Sequence, residues 1–202
     1  YSYLWSDGQT TATASNLTAG TYNVTITDQK GCFKDTSVIV LEPDALLIAS
    51  MSMDSASCNG VADGTATANG ITGGNGINSF SWNTTPLQTT NPATGLAAGN
   101  YTITVTDQKG CFTTRDTTVL EPLLLVIDTT FQDSVSCNGL FDGTASVVAS
   151  GGNGIYSYLW SDGQTTATAS NLTAGTYNVT ITDQKGCFKD TSVIVLEPDA
   201  LL

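Results

Sequence analysis

The chain has 202 residues, a formal net charge of −12 and no histidine. Its six lysine and arginine residues are too few and too scattered to form the basic face that neutralises nucleic-acid phosphates. Without histidine, the commonest general base and metal ligand is missing, and no apolar run reaches the ~18 residues of a membrane helix. We therefore expect no enzyme, no nucleic-acid partner and no membrane insertion in this segment.

The chain is internally repeated, which is typical of tandem arrays. Residues 1–47 recur without a change at 156–202, and a diverged copy lies between them. Each unit closes with Leu-Glu-Pro, which places unit boundaries after Pro43, Pro122 and Pro198. We predict four segments: the C-terminal half of a repeat at 1–43, full repeats at 44–122 and 123–198, and the start of the next repeat at 199–202.

Within each unit, apolar and polar residues alternate with period two, which indicates half-buried strands. In chain order the apolar positions of the clearest runs are Tyr22, Val24 and Ile26, then Phe80 and Trp82, then Tyr101, Ile103 and Val105, then Tyr156, Tyr158 and Trp160, and finally Tyr177, Val179 and Ile181. Gly-rich clusters separate the runs, and we interpret Gly73–Gly76 and Gly151–Gly154 as hairpin turns between strands B and C.

About seven short strands per unit predict an all-β fold of tandem immunoglobulin-like β-sandwich domains in a linear array. Three tryptophans stand where a central strand C carries a core Trp, and three Gly-x-Tyr motifs stand where a tyrosine corner precedes strand F. The predicted core aromatic residues are Trp5, Trp82, Trp160, Tyr22, Tyr101 and Tyr177.

Four sequence stretches together resemble the SprB-type repeat of Bacteroidota cell-surface adhesins. They are GNYTITVTDQKGC at 99–111, VLEP at 119–122, CNGLFDGT at 137–144 and GGNGIYSYLW at 151–160. The resemblance implies an extracellular, cell-surface protein exported by type IX secretion, with some members serving gliding motility. It implies no catalytic residue.

On this basis the leading functional prediction is a structural stalk or filament segment of a long surface adhesin. The expected partners are neighbouring repeats of the same chain, other surface filaments, and external surfaces or glycans. The alternative is an array of ligand- or glycan-binding modules, in which aromatic side chains would be stacking platforms.

The five cysteines form two classes, and in an exported domain their regular spacing predicts disulfides. One class follows the F–G turn and the other lies between strands A and B; the members are Cys32, Cys111 and Cys187, and Cys58 and Cys137, respectively. A metal site is a poor alternative, because the chain has neither a CxxC motif nor a histidine.

Two pairings stay open at this point. If units stack end to end, the A–B turn of one meets the F–G turn of the next, which brings Cys58 to Cys187 and leaves the other cysteines to pair with further units. If the chain instead turns back at Glu-Pro, the local pairs Cys32–Cys58 and Cys111–Cys137 form. Within one sandwich the F–G and A–B turns lie at opposite ends, about 23 Å apart for a seven-residue strand, whereas disulfide Cα atoms must lie within about 7 Å. We therefore take Cys58–Cys187, between stacked units, as the first choice.

The sequence suggests two further kinds of site. Ser55, Thr117, Thr129 and Ser134 each follow an aspartate in a short motif that resembles a Bacteroidota O-glycosylation acceptor. Calcium between domains is a second hypothesis, with oxygen ligands from Asp63, Asp142, Glu42, Glu121 and Glu197. The alternative for these carboxylates is a turn aspartate bonded to its own backbone and a solvated linker glutamate. No other cofactor is expected.

Overall fold

The computed structural model of the protein describes residues 1–200, and every regular element in them is a β-strand. The first segment forms one antiparallel three-stranded sheet in the order β1-β2-β3. Its strands are β1 (Ser2–Trp5), β2 (Gly20–Thr27) and β3 (Phe33–Val40). Within residues 1–200 no helix is long and apolar enough to cross a membrane.

The second segment forms two antiparallel sheets of three strands, ordered β4-β5-β7 and β6-β8-β9. Its strands are β4 (Leu47–Asp54), β5 (Gly64–Thr72), β6 (Ser79–Trp82), β7 (Ala93–Leu96), β8 (Gly99–Thr106) and β9 (Phe112–Val119). In immunoglobulin lettering they are A, B, C, E, F and G, with A, B and E in one sheet and C, F and G in the other.

The third segment repeats this arrangement in sheets ordered β10-β11-β13 and β12-β14-β15. Its strands are β10 (Leu123–Asp133), β11 (Gly143–Gly152), β12 (Ser157–Trp160), β13 (Thr168–Leu172), β14 (Gly175–Thr182) and β15 (Phe188–Val195). The predicted fold class, all-β with tandem immunoglobulin-like sandwiches, is confirmed. Of the predicted start of a further repeat at 199–202, residues 201–202 lie outside the described residues.

The predicted count of seven strands per unit is wrong, because strand D is absent and each full unit has six. The chain between C and E is a loop held by side chains rather than by a strand ladder. In the third segment Gln164 donates from Nε2 to Ser170 O and accepts from Ser170 N, both at 2.9 Å. Trp160 Nε1 donates to Thr166 O of the same loop at 2.8 Å.

The interpretation of Gly73–Gly76 and Gly151–Gly154 as hairpin turns is also wrong. Strands B and C belong to different sheets and do not pair with each other, so both loops cross from one sheet to the other. This crossing places each loop beside the F–G turn of the opposite sheet, where Gln108 N donates to Asn75 O at 3.1 Å.

The core of each full unit lies between its two sheets, because the inward residues of both sheets remove apolar surface from water there. Trp82 and Trp160, on strand C, are the largest fully buried side chains, with exposed fractions of 0% and 1%. They pack with strand F and G residues such as Ile103, Val119 and Val195. The alternation with period two therefore has its physical cause in this shared layer.

The half unit shows how much a second sheet buries the core residues, since residues 1–47 have the same sequence as 156–202. Val38 on β3 is 46% exposed, whereas the identical Val193 on β15 is 3% exposed. Trp5 is half-buried, whereas Trp160 is buried. The prediction of Trp5 as a core residue is therefore corrected: within the described residues no second sheet covers it.

We predict that Val193→Ala lowers the free energy of unfolding by about 2 kcal/mol, because it removes buried methyl groups and leaves a cavity. Val38→Ala, the same change at the matched exposed position, should cost less than about 0.5 kcal/mol. Urea denaturation followed by tryptophan fluorescence measures both. Equal losses would show that the half unit is covered in solution.

Candidate functional site

The F–G turn of each full unit is organised by one aspartate. In the third segment Asp183 Oδ1 accepts from Lys185 N at 2.8 Å and from Cys187 N at 3.0 Å. Asp183 Oδ2 accepts from Asn153 N at 2.7 Å and from Asn153 Nδ2 at 2.9 Å. One carboxylate therefore holds the turn that carries the cysteine and also the B–C loop that carries the asparagine.

The second segment repeats this aspartate clamp. Asp107 accepts from Lys109 N, Cys111 N and both nitrogens of Asn75, at 2.8 to 2.9 Å. Asp107 and Asp183 are each 5% exposed. The aspartate clamp was not predicted from the sequence, although the recurring Gly-Gly-Asn-Gly and Thr-Asp-Gln-Lys-Gly-Cys motifs contained the residues that form it.

The hydrogen bonds of the clamp stabilise the charged form of its carboxylate. The side-chain bond from Asn75, together with the backbone bonds, lowers the pKa of Asp107 to about 2, although burial opposes the shift. At Asp183 burial is the largest single effect and raises the pKa, but the combined bonds from Asn153, Lys185 and Cys187 outweigh it. The pKa of Asp183 is therefore also lowered.

The A–B loop of each full unit is organised by a second aspartate. Asp63 Oδ1 accepts from Ser57 N at 2.8 Å, and Asp142 Oδ1 accepts from Ser136 N at 2.9 Å. The serine side chain also bonds the carboxylate, and this bond is the main cause of the lowered pKa of Asp63 and Asp142. Both carboxylates thus serve the loop itself, which agrees with the turn alternative given above.

The Glu-Pro linker is bound to the A–B loop of its own unit. Gly60 N donates to Glu121 Oε2 at 2.6 Å, and Asn59 Nδ2 donates to Pro122 O at 3.1 Å. The same two bonds recur in the third segment, from Gly139 N to Glu197 Oε2 at 3.1 Å and from Asn138 Nδ2 to Pro198 O at 3.2 Å. The chain therefore leaves each full unit along a fixed path.

The two full units meet at a joint made by the A–B loop of one and the F–G end of the next. Cys58 and Cys187 form a disulfide there, with their Cα atoms 5.7 Å apart. Beside it Asn153 Nδ2 donates to Ser57 O at 2.9 Å, across the joint. An apolar groove of about 320 Å³ adjoins the disulfide and is lined in part by Val61, Leu124 and Phe188.

This pair is the first choice of the sequence analysis, and it is incompatible with the local alternative Cys32–Cys58. The other local pair, Cys111–Cys137, is not formed either. Cys32, Cys111 and Cys137 are exposed free thiols in the described chain; that they pair with further units stays a prediction. The physical reason is that residues 1–200 contain the two halves of only one joint.

The three predicted corner tyrosines lie half-buried at the start of strand F. Each hydroxyl donates to a backbone carbonyl four residues earlier: Tyr22 to Thr18 O at 3.1 Å, Tyr101 to Ala97 O at 3.0 Å, and Tyr177 to Thr173 O at 3.1 Å. This is the geometry of a tyrosine corner. It fixes the chain entering strand F, and strand F leads directly to the F–G turn.

The candidate glycosylation residues differ in accessibility. Ser55, Thr129 and Ser134 are exposed, whereas Thr117 is half-buried on β9. Modification therefore remains a prediction for the three exposed hydroxyls.

For the calcium hypothesis, residues 1–200 contain no group of three acidic, cysteine or histidine side chains close enough to hold an ion. Glu121 and Glu197 are engaged with backbone amides instead, and Glu42 is exposed at the end of the half unit.

The geometry is that of two β-sandwiches in series, linked covalently at their joint. A comparison with protein families gives one match. Residues 129–165, from β10 to the loop after β12, match the family model of the SprB repeat. The chain thus contains a SprB-type repeat region, as the sequence resemblance predicted. No curated protein matches the chain.

Similar solved structures are multidomain immunoglobulin-type fragments. Drosophila OTK extracellular domains 3–5 share 14% identity over 90% of this chain and 72% of that one, with a TM-score of 0.37. The N-terminal eight Ig domains of DSCAM share 12% identity over 97% of this chain and 32% of that one, with a TM-score of 0.31. Superpositions this loose do not bear on what the protein does.

We predict that the contribution of Asp107 to the free energy of unfolding depends on pH between about 4 and 2. Because the folded pKa is depressed, the stabilisation is complete above the unfolded value of about 3.9 and is lost as pH falls toward 2. Asp107→Asn should therefore be less stable than the parent at pH 7 and lose less stability over that range. Urea titrations at several pH values measure this, with Asp199→Asn, an exposed carboxylate, as the control. Parallel pH curves for parent and Asp107→Asn would contradict it.

We also predict that Gly64, which follows Asp63 at the end of the A–B loop, must be glycine because a side chain does not fit there. A Cβ at Gly64 would lie 2.6 Å from Val119 Cγ1 and 2.9 Å from Leu96 O. Gly64→Ala should therefore cost about 1–3 kcal/mol by overpacking. Gly99→Ala is the matched control, because its nearest contact would be an ordinary 3.8 Å. Thermal or urea unfolding of the two variants decides, and equal stabilities would refute the packing role.

Proposed function

We propose that this chain is a stiff spacer segment of an extracellular, adhesin-like repeat array, and that it forms part of a stalk or filament. The observation that carries the proposal is the joint. A disulfide from Cys58 to Cys187 links neighbouring sandwiches, and the Glu-Pro linker is bound to the A–B loop rather than free. Such a joint restricts rotation between units, which is what a spacer needs and an enzyme or a flexible tether does not.

The SprB repeat match at 129–165 supports an extracellular adhesin-like setting. The disulfide supports an oxidising compartment, because cytosolic proteins rarely keep one. Export by type IX secretion, a Bacteroidota origin and a part in gliding motility are the finer proposals that follow from the resemblance. Calcium at the joints is not needed for the proposed role.

The binding alternative finds one specific observation in its favour. The residue after each F–G cysteine is an exposed phenylalanine: Phe33, Phe112 and Phe188. These side chains, and not the buried Trp82 and Trp160, would be the stacking platforms of a glycan-binding array. Glycan titrations against Phe112→Ser would test this candidate, since a saturable signal lost in the variant would favour it.

Small-angle X-ray scattering tests the spacer role. A compact globule of this length would have a radius of gyration of about 17 Å, and we expect a clearly larger value for an extended array. The matched variant Cys58→Ser/Cys187→Ser should keep its sandwiches folded and show a broader distribution of interdomain distances. A compact oxidised chain would exclude the stalk. Identical scattering from the two forms would show that the disulfide does not stiffen the joint.

A further inference from the structure

The A–B loop of the third segment, Ser136–Asp142, is equivalent to the loop that builds the joint but has no partner in residues 1–200. We propose that this loop is a docking surface for the F–G end of a further SprB-type repeat, closed by a disulfide at Cys137. The inference deepens the proposed spacer function, because it turns one observed joint into a rule for the array.

The loop has its binding conformation before any partner is present. Ser136 N to Asp142 Oδ1 measures 2.9 Å, against 2.8 Å for the equivalent bond of Ser57 in the occupied joint. Asn138 and Gly139 are bound to the linker, as Asn59 and Gly60 are in the occupied joint. The loop shape is therefore a property of the unit and is not induced by the disulfide.

A matching F–G end also exists unused in this chain. In the second segment Asn75 and Cys111 are held by Asp107 through the same bonds that hold Asn153 and Cys187 in the occupied joint. Cys111 is an exposed free thiol. Both unit types therefore present the same Asn–Asp–Cys arrangement, so either type can be the occupant.

The incoming end would complete two interactions at once. Its asparagine amide would donate to Ser136 O, as Asn153 Nδ2 donates to Ser57 O at 2.9 Å. Its cysteine would bond to Cys137, as Cys187 bonds to Cys58. Within residues 1–200 no other backbone group outside the strands donates a hydrogen bond to Ser136 O, so this oxygen is free to accept one from the partner.

The covalent step is thiol–disulfide exchange with a small disulfide such as oxidised glutathione. The Cys137 thiolate attacks the small disulfide and releases one glutathione. The incoming thiolate then attacks the mixed disulfide and releases the second. Two thiols lose two protons and two electrons, and one glutathione disulfide becomes two glutathione molecules.

The pair Cys111–Cys137 of one chain cannot supply this bond. Cys111 lies at the F–G end of the second segment, Cys137 at the A–B end of the third, and the occupied joint lies between them. A strand of eight residues is about 26 Å long, so two stacked units separate these cysteines by far more than the ~7 Å limit for disulfide Cα atoms. The occupant must therefore be another repeat.

The test extends the chain by one unit, so that residues 1–198 are followed by a second copy of 44–122. The protein is oxidised in a glutathione buffer, and its disulfides are mapped by mass spectrometry of non-reduced peptides. We expect Cys137 to be linked to the appended copy of Cys111, with Cys58–Cys187 retained. Asn75→Ala in the appended copy should lower the equilibrium constant of that new disulfide about fivefold, the effect of one hydrogen bond.

Three outcomes would overturn the proposal: Cys137 remains a free thiol while Cys58–Cys187 forms, Cys137 links to the original Cys111, or Cys137 links two chains. If the appended unit fails to bury its tryptophan, an appended copy of 123–198 replaces it, because its F–G end already forms the observed joint. Failure of this linkage in an extended, rod-like protein would leave the spacer function standing. A compact protein in scattering would remove that function instead.

Discussion

The joint depends on a buried carboxylate that accepts four hydrogen bonds. Asp183 fixes the direction of the Cys187 backbone and the position of the Asn153 amide, although these residues come from different sheets. A disulfide forms only when two Cβ atoms approach in a narrow range of geometries. The clamp prepares that approach within one unit, so neighbouring units need only meet end to end.

Much of the fold could be predicted because its causes are local. Alternation with period two marked strands C and F, and Gly-x-Tyr marked the corner before strand F. The choice of Cys58 with Cys187 followed from the two ends of a sandwich being a strand length apart, and the structure has that pair. These predictions needed only strand geometry and chain order.

The rest could not be predicted because it depends on contacts between residues distant in sequence. Gly60 and Glu121 are separated by 61 positions, so nothing local indicates that the linker is bound. Strand D was expected from an average strand count, but Gln164 and Trp160 satisfy the backbone of that region through side chains. Period two placed Trp5 in a core, but Trp5 is only half-buried, because within the described residues no second sheet covers it.

The position of the disulfide also determines how the array would respond to tension along its length. The shortest covalent route through the two full units runs along β4 to Cys58, crosses to Cys187 and leaves along β15. The residues between the two cysteines, a separation of 129 in sequence, lie off that route. Pulling on the array therefore could not release the about 430 Å of extended chain between the two cysteines. Most strands of the two cores would carry no tension.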